Sequence, residues 1–549
     1  MNEPGHDQPS DPLLRHTPTE PEPVVPTLPP QRITIHTSPI PLPTHTTDGV
    51  PPPPSAQWQS SQPYGASPHA RYAPVATPRG AGLRRLLLPL LVVLLLAGGA
   101  AVLFRNQLFG DNETAAHPEE WDPRVLDIAE FVSATRELEW EHPVFVDFLP
   151  EAEFVALFDQ PTSTPSDEEV AQAQQYSDLY NALGLAVGYD FTAGQSTVAA
   201  VTTLGFYSLD RDRVVMRGDA LTPAVQVVLA HELTHALQEQ HFDLEVGGPD
   251  DLELRAVLEA DALRVENVFR STLSAADQAA ADDGLTLPTE SEADLGDVPW
   301  ALLEQTYAPY VLGPVLVEQA FAEAGNAGVD EIIRTPPSEE ILLNPWLLGT
   351  DQTERELTVD APAGAIVIDP PQQLSPVDLL LMLDAWLPWA DARAALDGWA
   401  GGVYTSYVRS GTVCLTGVVS FDQTATPFAD AITAWAAAAG SDTTPVTIVN
   451  DVTFEACSRG NSAAEPPTPI IAPLSALLVE RDVIALAGSD PSAAEIADYQ
   501  CVAATMIDDP LLAPILLLET LDENQQALFA WQSTIAANEC GVPPLRAAP

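Results

Sequence analysis

One uninterrupted apolar stretch divides this chain into two parts that must fold in different surroundings. The stretch reads LLLPLLVVLLLAGGAAVLF, residues 86–104, and contains no charged residue. As a helix, its 19 residues match the thickness of the hydrocarbon core of a bilayer. Because 85 residues precede it, whereas secretory signals begin near the N-terminus, we expect a single transmembrane helix.

The distribution of arginine predicts which side of the membrane each part occupies. Four arginines lie within residues 71–85, just before the apolar stretch, and only Arg105 lies close after it. Positively charged residues that flank a span remain on the cytoplasmic side. We therefore expect a cytoplasmic N-terminus, with residues 106–549 on the outer side of the cell membrane.

The two parts also differ in composition. Residues 1–80 hold 20 of the 53 prolines and few large apolar side chains, so we expect residues 1–85 to form a disordered, proline-rich tail. The chain has 78 acidic and 22 basic residues, a net charge of −56, and the whole excess of acid lies beyond this tail. This balance excludes a nucleic-acid-binding protein, because too few cations are present to neutralise a phosphate backbone.

All four cysteines lie in the last third of the chain, at Cys414, Cys457, Cys501 and Cys540. An even number beyond a predicted membrane span indicates two disulfides formed in an oxidising compartment. Four cysteines permit three pairings, and we favour Cys414 with Cys457 and Cys501 with Cys540, because each pair then closes a loop within one region. Free thiols are the alternative, and the lack of a CxxC spacing disfavours a cysteine zinc site.

Hydrophobic periodicity and turn signals after residue 105 predict a mixture of helices and strands. Helical patterns lie near residues 122–137, 151–159, 167–185, 222–244, 252–269 and 427–439. Strand patterns lie at 144–148, in a hairpin within 205–219, and around 412–420 and 446–455. The mixture predicts an α+β fold for residues 106–355, a further α+β region at 356–465 and a mainly helical region at 466–549.

The helix predicted at residues 222–244 carries an HExxH motif, as His231-Glu232-Leu233-Thr234-His235. Histidines four residues apart lie on one face of a helix, so both imidazoles can bind the same metal ion. Glu232 is then placed to take a proton from an attacking water. Of the five histidines after the apolar stretch, three lie between His231 and His241. The pattern is typical of zinc metallopeptidases.

Zinc needs a third protein ligand and an open position for water, and the sequence offers two candidates. His241 stands at the spacing of an HExxHxxGxxH motif, but Gln238 occupies the position where that motif breaks its helix with glycine. Glu259 follows His235 by 24 residues, on the next predicted helix. Antiparallel packing of the two helices would bring Glu259 over the histidine pair, so we favour Glu259.

The chain resembles the gluzincins, which are thermolysin-like metallopeptidases with HExxH and a glutamate ligand. It is most similar to membrane-anchored bacterial proteins with an HELTHALQDQxFDL helix. The resemblance covers about residues 122–420 and rests on HELTHALQEQHFDL, on GFYSLDRDRVVMRGD at 205–219, and on the segments Glu259–Ala262, Tyr310–Gly313, Pro336–Leu342 and Ala395–Gly402. It implies a zinc site of His231, His235 and Glu259, with Glu232 as the catalytic base.

The resemblance also implies where the substrate binds, and the sequence departs from the family pattern at three positions. It implies that the strand near Arg213–Arg217 is the sheet edge to which a peptide adds, with an ordinary buried hairpin arm as the alternative. Tyr307 and Tyr310 are candidates to stabilise the transition state, although packing is an alternative role for both. The departures are Gly402 in place of an aspartate, a displaced Asp210, and Leu263 where thermolysin has an aspartate, which leaves the residue that would hold a ligand histidine from behind unidentified.

We therefore expect a membrane-anchored, extracytoplasmic peptidase that hydrolyses peptide or protein substrates with one Zn²⁺ ion. A catalytically inactive envelope protein that binds or scaffolds partners is one alternative. A structural zinc site closed by His241 as a fourth ligand is another. No residue pattern specifies the oligomeric state.

Overall fold

The computed structural model describes residues 117–543, except for 160–166, 209–211, 243, 245–251, 286–294, 297, 351, 489–490 and 519–520. The predicted tail at 1–85 and the predicted transmembrane helix at 86–104 lie outside the described residues. Within the part of the chain that the structure describes, every helix is too short or too polar to cross a bilayer.

Helices and strands alternate along the chain, and this mixture confirms the α+β class. The helices are α1 Leu126–Arg136, α2 Glu151–Asp159, α3 Asp167–Ala182, α4 Phe191–Thr202, α5 Pro223–Phe242, α6 Leu252–Thr272, α7 Ala275–Leu285, α8 Trp300–Ala324, α9 Asn326–Arg334, α10 Glu339–Leu343, α11 Pro376–Asp384, α12 Trp389–Ala394, α13 Thr426–Ala439, α14 Pro473–Ala485, α15 Ala493–Ile507 and α16 Glu523–Glu539. The strands are β1 Phe145–Leu149, β2 Gly205–Ser208, β3 Arg213–Arg217, β4 Ile366–Gln373, β5 Trp399–Arg409, β6 Thr412–Phe421, β7 Val446–Ile448 and β8 Asp451–Cys457.

The first sheet corrects one expectation from the sequence. Its strand order is β1-β3-β2, with β1 parallel and β2 antiparallel to β3. The strand Arg213–Arg217 is therefore the centre of the sheet and not the edge to which a peptide was expected to add. The hairpin pattern showed only the pairing of β2 with β3, whereas β1 reaches β3 after a long crossover through α2, α3 and α4.

Three helices pack next to this sheet and position the site. Helix α5 buries Val228 and Leu229 in the core that it shares with the sheet. Helix α6 lies antiparallel to α5, and α8 packs closely on α6. A Cβ atom at Gly313 of α8 would lie only 1.8 Å from the carbonyl oxygen of Ala256 in α6. Glycine at this position therefore allows the two helices to approach each other.

The second sheet is antiparallel throughout, in the order β4-β5-β6-β8-β7. Cys414 on β6 lies directly opposite Cys457 on β8, and the two form a disulfide. A second disulfide joins Cys501 of α15 to Cys540 after α16. Both follow the sequential pairing expected from the sequence.

One hydrophobic core is shared by the three regions proposed from the sequence. It contains Leu312 of α8, Trp399 of β5 and Val502 of α15. The division at residues 355 and 465 stays a prediction, because residues on both sides of each boundary line the same core.

Candidate metal centre

Three side chains from two helices converge in the first part of the chain. The Nε2 atoms of His231 and His235, both on α5, lie 3.0 Å apart. The Oε2 atom of Glu259, on α6, lies 3.2 Å from each of them. His231 is fully buried and Glu259 is only 3% exposed. Among the described residues this is the one group of three such side chains whose ligand atoms are close enough to hold a metal ion.

A second carboxylate holds the outer nitrogen of His231. Nδ1 of His231 lies 3.0 Å from Oε2 of Glu266, which is fully buried on α6. Glu266 follows Glu259 by seven residues, or about two helical turns, so both carboxylates face α5. Glu266 is therefore the residue that orients His231. The sequence offered no candidate for this role, because Leu263 lies one turn after Glu259.

A glutamine holds the outer nitrogen of His235. Nδ1 of His235 lies 2.9 Å from Oε1 of Gln238, and the amide nitrogen of Gln238 donates to the carbonyl of Leu258 and to Oδ2 of Asp261. Because the amide nitrogen has two acceptors, the Oε1 atom must be the acceptor for His235. In the sequence, Gln238 indicated only that the helix continues, and its contact with His235 was not predicted.

A buried ion pair supports Gln238 from behind. Nε of Arg136, on α1, lies 2.8 Å from Oδ2 of Asp261, and neither side chain is exposed. Arg136 also binds Asp330 of α9 at 2.7 Å. A buried charge pair keeps its geometry because separating the charges in a low dielectric is costly. The orientation of His235 is therefore tied through Gln238 and Asp261 to α1 and α9.

These contacts determine which ring nitrogens face the centre as acceptors. Nδ1 of His231 faces a carboxylate and Nδ1 of His235 faces an amide oxygen, so both Nδ1 atoms carry the proton of a neutral ring. Both Nε2 atoms then present lone pairs toward the carboxylate of Glu259. Three acceptor atoms at hydrogen-bond distance need a cation among them, either a metal ion or added protons.

The pKa values of the His231 ring and the Glu259 carboxylate also favour positive charge in this group. Burial lowers the pKa of His231, but its hydrogen bonds with Glu259 and Glu266 outweigh burial and raise it to about 10. Burial raises the pKa of Glu259, but the charge of His235 and the hydrogen bonds of both imidazoles hold it at about 2. The centre thus favours an anionic glutamate opposite positive charge.

Glu232 is the fourth chemically important residue of the site. Its side chain is fully buried, and neither carboxylate oxygen makes a hydrogen bond of normal geometry within the described residues. Burial raises its pKa to about 7, while the charges of His231 and His235 oppose that shift. A carboxyl group with a pKa near neutrality can both accept and return a proton.

The structure places the other predicted residues as follows. Helix α5 continues unbroken to Phe242, and Nε2 of His241 contacts the backbone carbonyl of Glu139 at 2.8 Å instead of joining the centre. Tyr310, on α8, is buried, and its hydroxyl is close enough to the carboxylate of Glu259 for that charge to raise its pKa, after burial as the largest cause. The hydroxyl of Tyr307 is buried without a hydrogen bond in the described part of the structure, and the nearby acid is Glu304.

Gly402 and Asp210 are two of the three departures from the gluzincin pattern. A Cβ atom at Gly402 would lie 2.3 Å from the carbonyl oxygen of Leu374, so an aspartate does not fit this backbone. Asp210 lies outside the described residues.

Comparison of the chain with the models of known families, with curated proteins and with solved structures found no match.

Proposed function

We propose that this protein is a zinc-dependent peptidase of the gluzincin type. The observation that carries the proposal is the convergence of His231, His235 and Glu259 next to Glu232, whose buried carboxylate oxygens make no hydrogen bond of normal geometry among the described residues. A scaffold protein has no use for such a carboxylate, because burying a polar group without a partner costs stability. This argument favours an enzyme over an inactive binding module.

The donor set suits zinc. Two imidazole nitrogens and one carboxylate oxygen, with an open fourth position, are the ligands of many catalytic zinc sites. Atoms bound to one tetrahedral zinc ion lie about 3.3 Å apart, and the three contacts here measure 3.0, 3.2 and 3.2 Å. His241 is engaged elsewhere, which disfavours the structural zinc site with four protein ligands.

The residues of the chain have separate tasks in this reaction. Zinc, when bound by His231, His235 and Glu259, supplies a Lewis acid for water and for the peptide carbonyl. Glu232 accepts a proton from the attacking water and returns it to the leaving amine, as its pKa of about 7 allows. The hydroxyl of Tyr310 is close to Glu259, and we assign it the role of positioning that ligand.

We place the peptide along β2, which is one of the two edge strands of the first sheet among the described strands, the other being β1. A strand edge of this kind can accept an extended peptide by backbone hydrogen bonds. The backbone N–H of Tyr207, on β2, faces the carboxylate of Glu232. A peptide that adds to β2 therefore runs close to the base.

We also propose that the peptidase is anchored in the cell membrane by residues 86–104 and works on its outer side. The arginine asymmetry around that stretch supports this topology. The two disulfides support it as well, because disulfides persist in oxidising compartments.

The Glu232→Gln variant of the full-length protein, purified in detergent, tests the proposed mechanism. The variant should bind one zinc ion per chain like the wild type but lose peptidase activity by a factor on the order of 10³ or more, because it keeps the ligands and lacks the base. The matched control is Glu323→Gln, an exposed position on α8, which should keep both properties. Wild-type turnover by zinc-loaded Glu232→Gln would refute the mechanism.

A further inference from the structure

One arginine next to the metal centre differs from every other arginine that the structure describes. Arg255 of α6 makes no hydrogen bond and no ion pair in the described part of the chain. The others bind carboxylates, at Arg124, Arg136, Arg213, Arg217, Arg264, Arg270, Arg334, Arg355, Arg393 and Arg409, or backbone carbonyls, at Arg459 and Arg481. The Nε atoms of Arg136, Arg264, Arg459 and Arg481 also lack a hydrogen bond, as does Nε of Arg255, but those four side chains are paired through other nitrogens.

This exception is unexpected for the composition of the chain. With 78 acidic residues for 22 basic ones, an arginine finds a carboxylate almost anywhere on the surface. A guanidinium has five N–H donors and no acceptor, and leaving a buried donor of a charged group unpaired is costly. Among the described residues the guanidinium of Arg255 therefore has no acceptor, and a carboxylate from outside the chain can supply one.

The position of Arg255 relates it directly to the proposed catalytic centre. Arg255 precedes Glu259 by four residues on α6, so both side chains project from the same face of the helix. The charges of Arg255 and Glu259 both act on the hydroxyl of Tyr310 on α8, which places the three side chains near one another. Arg255 is only partly buried, so part of its side chain is accessible to a ligand.

From this juxtaposition we propose that Arg255 binds a carboxylate of the peptide substrate and makes the enzyme selective for acidic peptides. A guanidinium matches a carboxylate in a bidentate, charge-assisted geometry. The inference rests on the proposed peptidase function and adds a substrate class to it. The carboxylate comes either from an aspartate or glutamate side chain or from the free C-terminus of the peptide.

The overall negative charge of the protein does not oppose this recognition at physiological salt. Interactions between exposed charges are largely screened beyond about 8 Å at 0.15 M ionic strength. The contact between Arg255 and a bound carboxylate is direct and partly shielded from water, so it is screened much less. Local pairing therefore decides which peptide binds.

Cleavage of two random decapeptide libraries by the zinc-loaded full-length protein tests the inference. Both libraries have acetylated N-termini, and one ends in a free carboxylate while the other ends in an amide. Mass spectrometry of the products measures the preference for Asp and Glu over Asn and Gln near the cleaved bond. Arg255→Gln removes the positive charge of the proposed anion site. Arg409→Gln is the matched control, because it removes a positive charge from an exposed ion pair on β5.

We expect the wild type and Arg409→Gln to prefer acidic side chains, or the free C-terminus, by about tenfold. Arg255→Gln should lose that preference, and Arg255→Lys should restore part of it. If Arg255→Gln loses the preference for Asp and Glu over Asn and Gln, the bound group is a side-chain carboxylate. If it loses a preference for the library with free C-termini over the amide library, the bound group is the C-terminus. An unchanged preference in Arg255→Gln overturns the inference, and so does an equal loss on acidic and neutral peptides.

A binding measurement separates this inference from the peptidase proposal. Both libraries are passed over immobilised, zinc-loaded Glu232→Gln protein with and without the Arg255→Gln change. Arg255-dependent retention of acidic peptides, together with a wild type that cleaves nothing, would support the anion site and refute the peptidase. Cleavage without any Arg255-dependent selection would support the peptidase and refute the anion site.

Discussion

The contact between α6 and α8 makes a prediction that links packing to the metal centre. In Gly313→Ala, the new Cβ would lie 1.8 Å from the carbonyl oxygen of Ala256. Carbon–oxygen contacts between helices measure about 3.3 Å or more, so the helices must separate by about 1.5 Å. The obstacle is backbone, which cannot rotate away as a side chain can.

The expected cost follows from two opposing effects. Overpacking of this kind costs up to about 3 kcal/mol, whereas replacing glycine by alanine inside a helix contributes about 1 kcal/mol of stability. The net loss in the free energy of unfolding should therefore be about 2 kcal/mol. Because Glu259 and Tyr310 lie on the two separated helices, zinc affinity should fall as well.

Denaturant unfolding of the full-length protein and zinc competition with a chromogenic chelator measure the two effects. The matched control is Gly194→Ala in α4, where the new Cβ meets the ring of Tyr189, a side chain that can move. The control should keep wild-type zinc affinity. If Gly313→Ala unfolds at the wild-type denaturant concentration and binds zinc as tightly, the close packing of α8 on α6 is not what positions Glu259.

Two further predictions concern the residues around the histidines. Glu259→Ala should lose zinc on dialysis, whereas His241→Ala should retain it, because His241 contacts only a backbone carbonyl; the reverse result, measured as bound metal, would favour the HExxHxxGxxH reading. Glu266→Gln should lower zinc affinity by about 10–100-fold, because it removes the carboxylate beside Nδ1 of His231. An unchanged affinity in competition titration would show that Glu266 does not support that ligand.

The local parts of the site were predictable from the sequence. The motif, the helix around it and the Glu259 helix depend on spacing and periodicity along a short segment. The structure has these helices at Pro223–Phe242 and Leu252–Thr272, within a few residues of the predicted bounds. Histidines four residues apart necessarily share one face of a helix.

The contacts between distant segments were not predictable in the same way. Glu266 is one of many acids on a helical pattern, and only the packing of α6 on α5 shows that it faces His231. The pairing of β1 with β3 joins segments that are more than 60 residues apart, which no local pattern encodes. The predicted strand at 446–455 is two strands, β7 and β8, because Val449 adopts a left-handed turn conformation with φ of 59°.

The spacing of two residues in the sequence pointed to a role at the site that we did not predict. Gln238 stands three residues after His235, and residues at this spacing are neighbours on a helix, so a side-chain contact was available from spacing alone. Arg255 stands one turn before the favoured ligand Glu259. That it has no partner among the described residues, however, became visible only in the folded chain.

Restoring activity with zinc is the sharpest test of whether this protein is a zinc-dependent peptidase. The full-length protein is stripped of metal with a chelator and then titrated with Zn²⁺ while peptide hydrolysis and bound zinc are measured together. We expect no hydrolysis without metal and a linear rise to full activity at one zinc ion per chain. Full activity in the stripped protein, or one bound zinc ion without any peptide hydrolysis, would contradict that expectation.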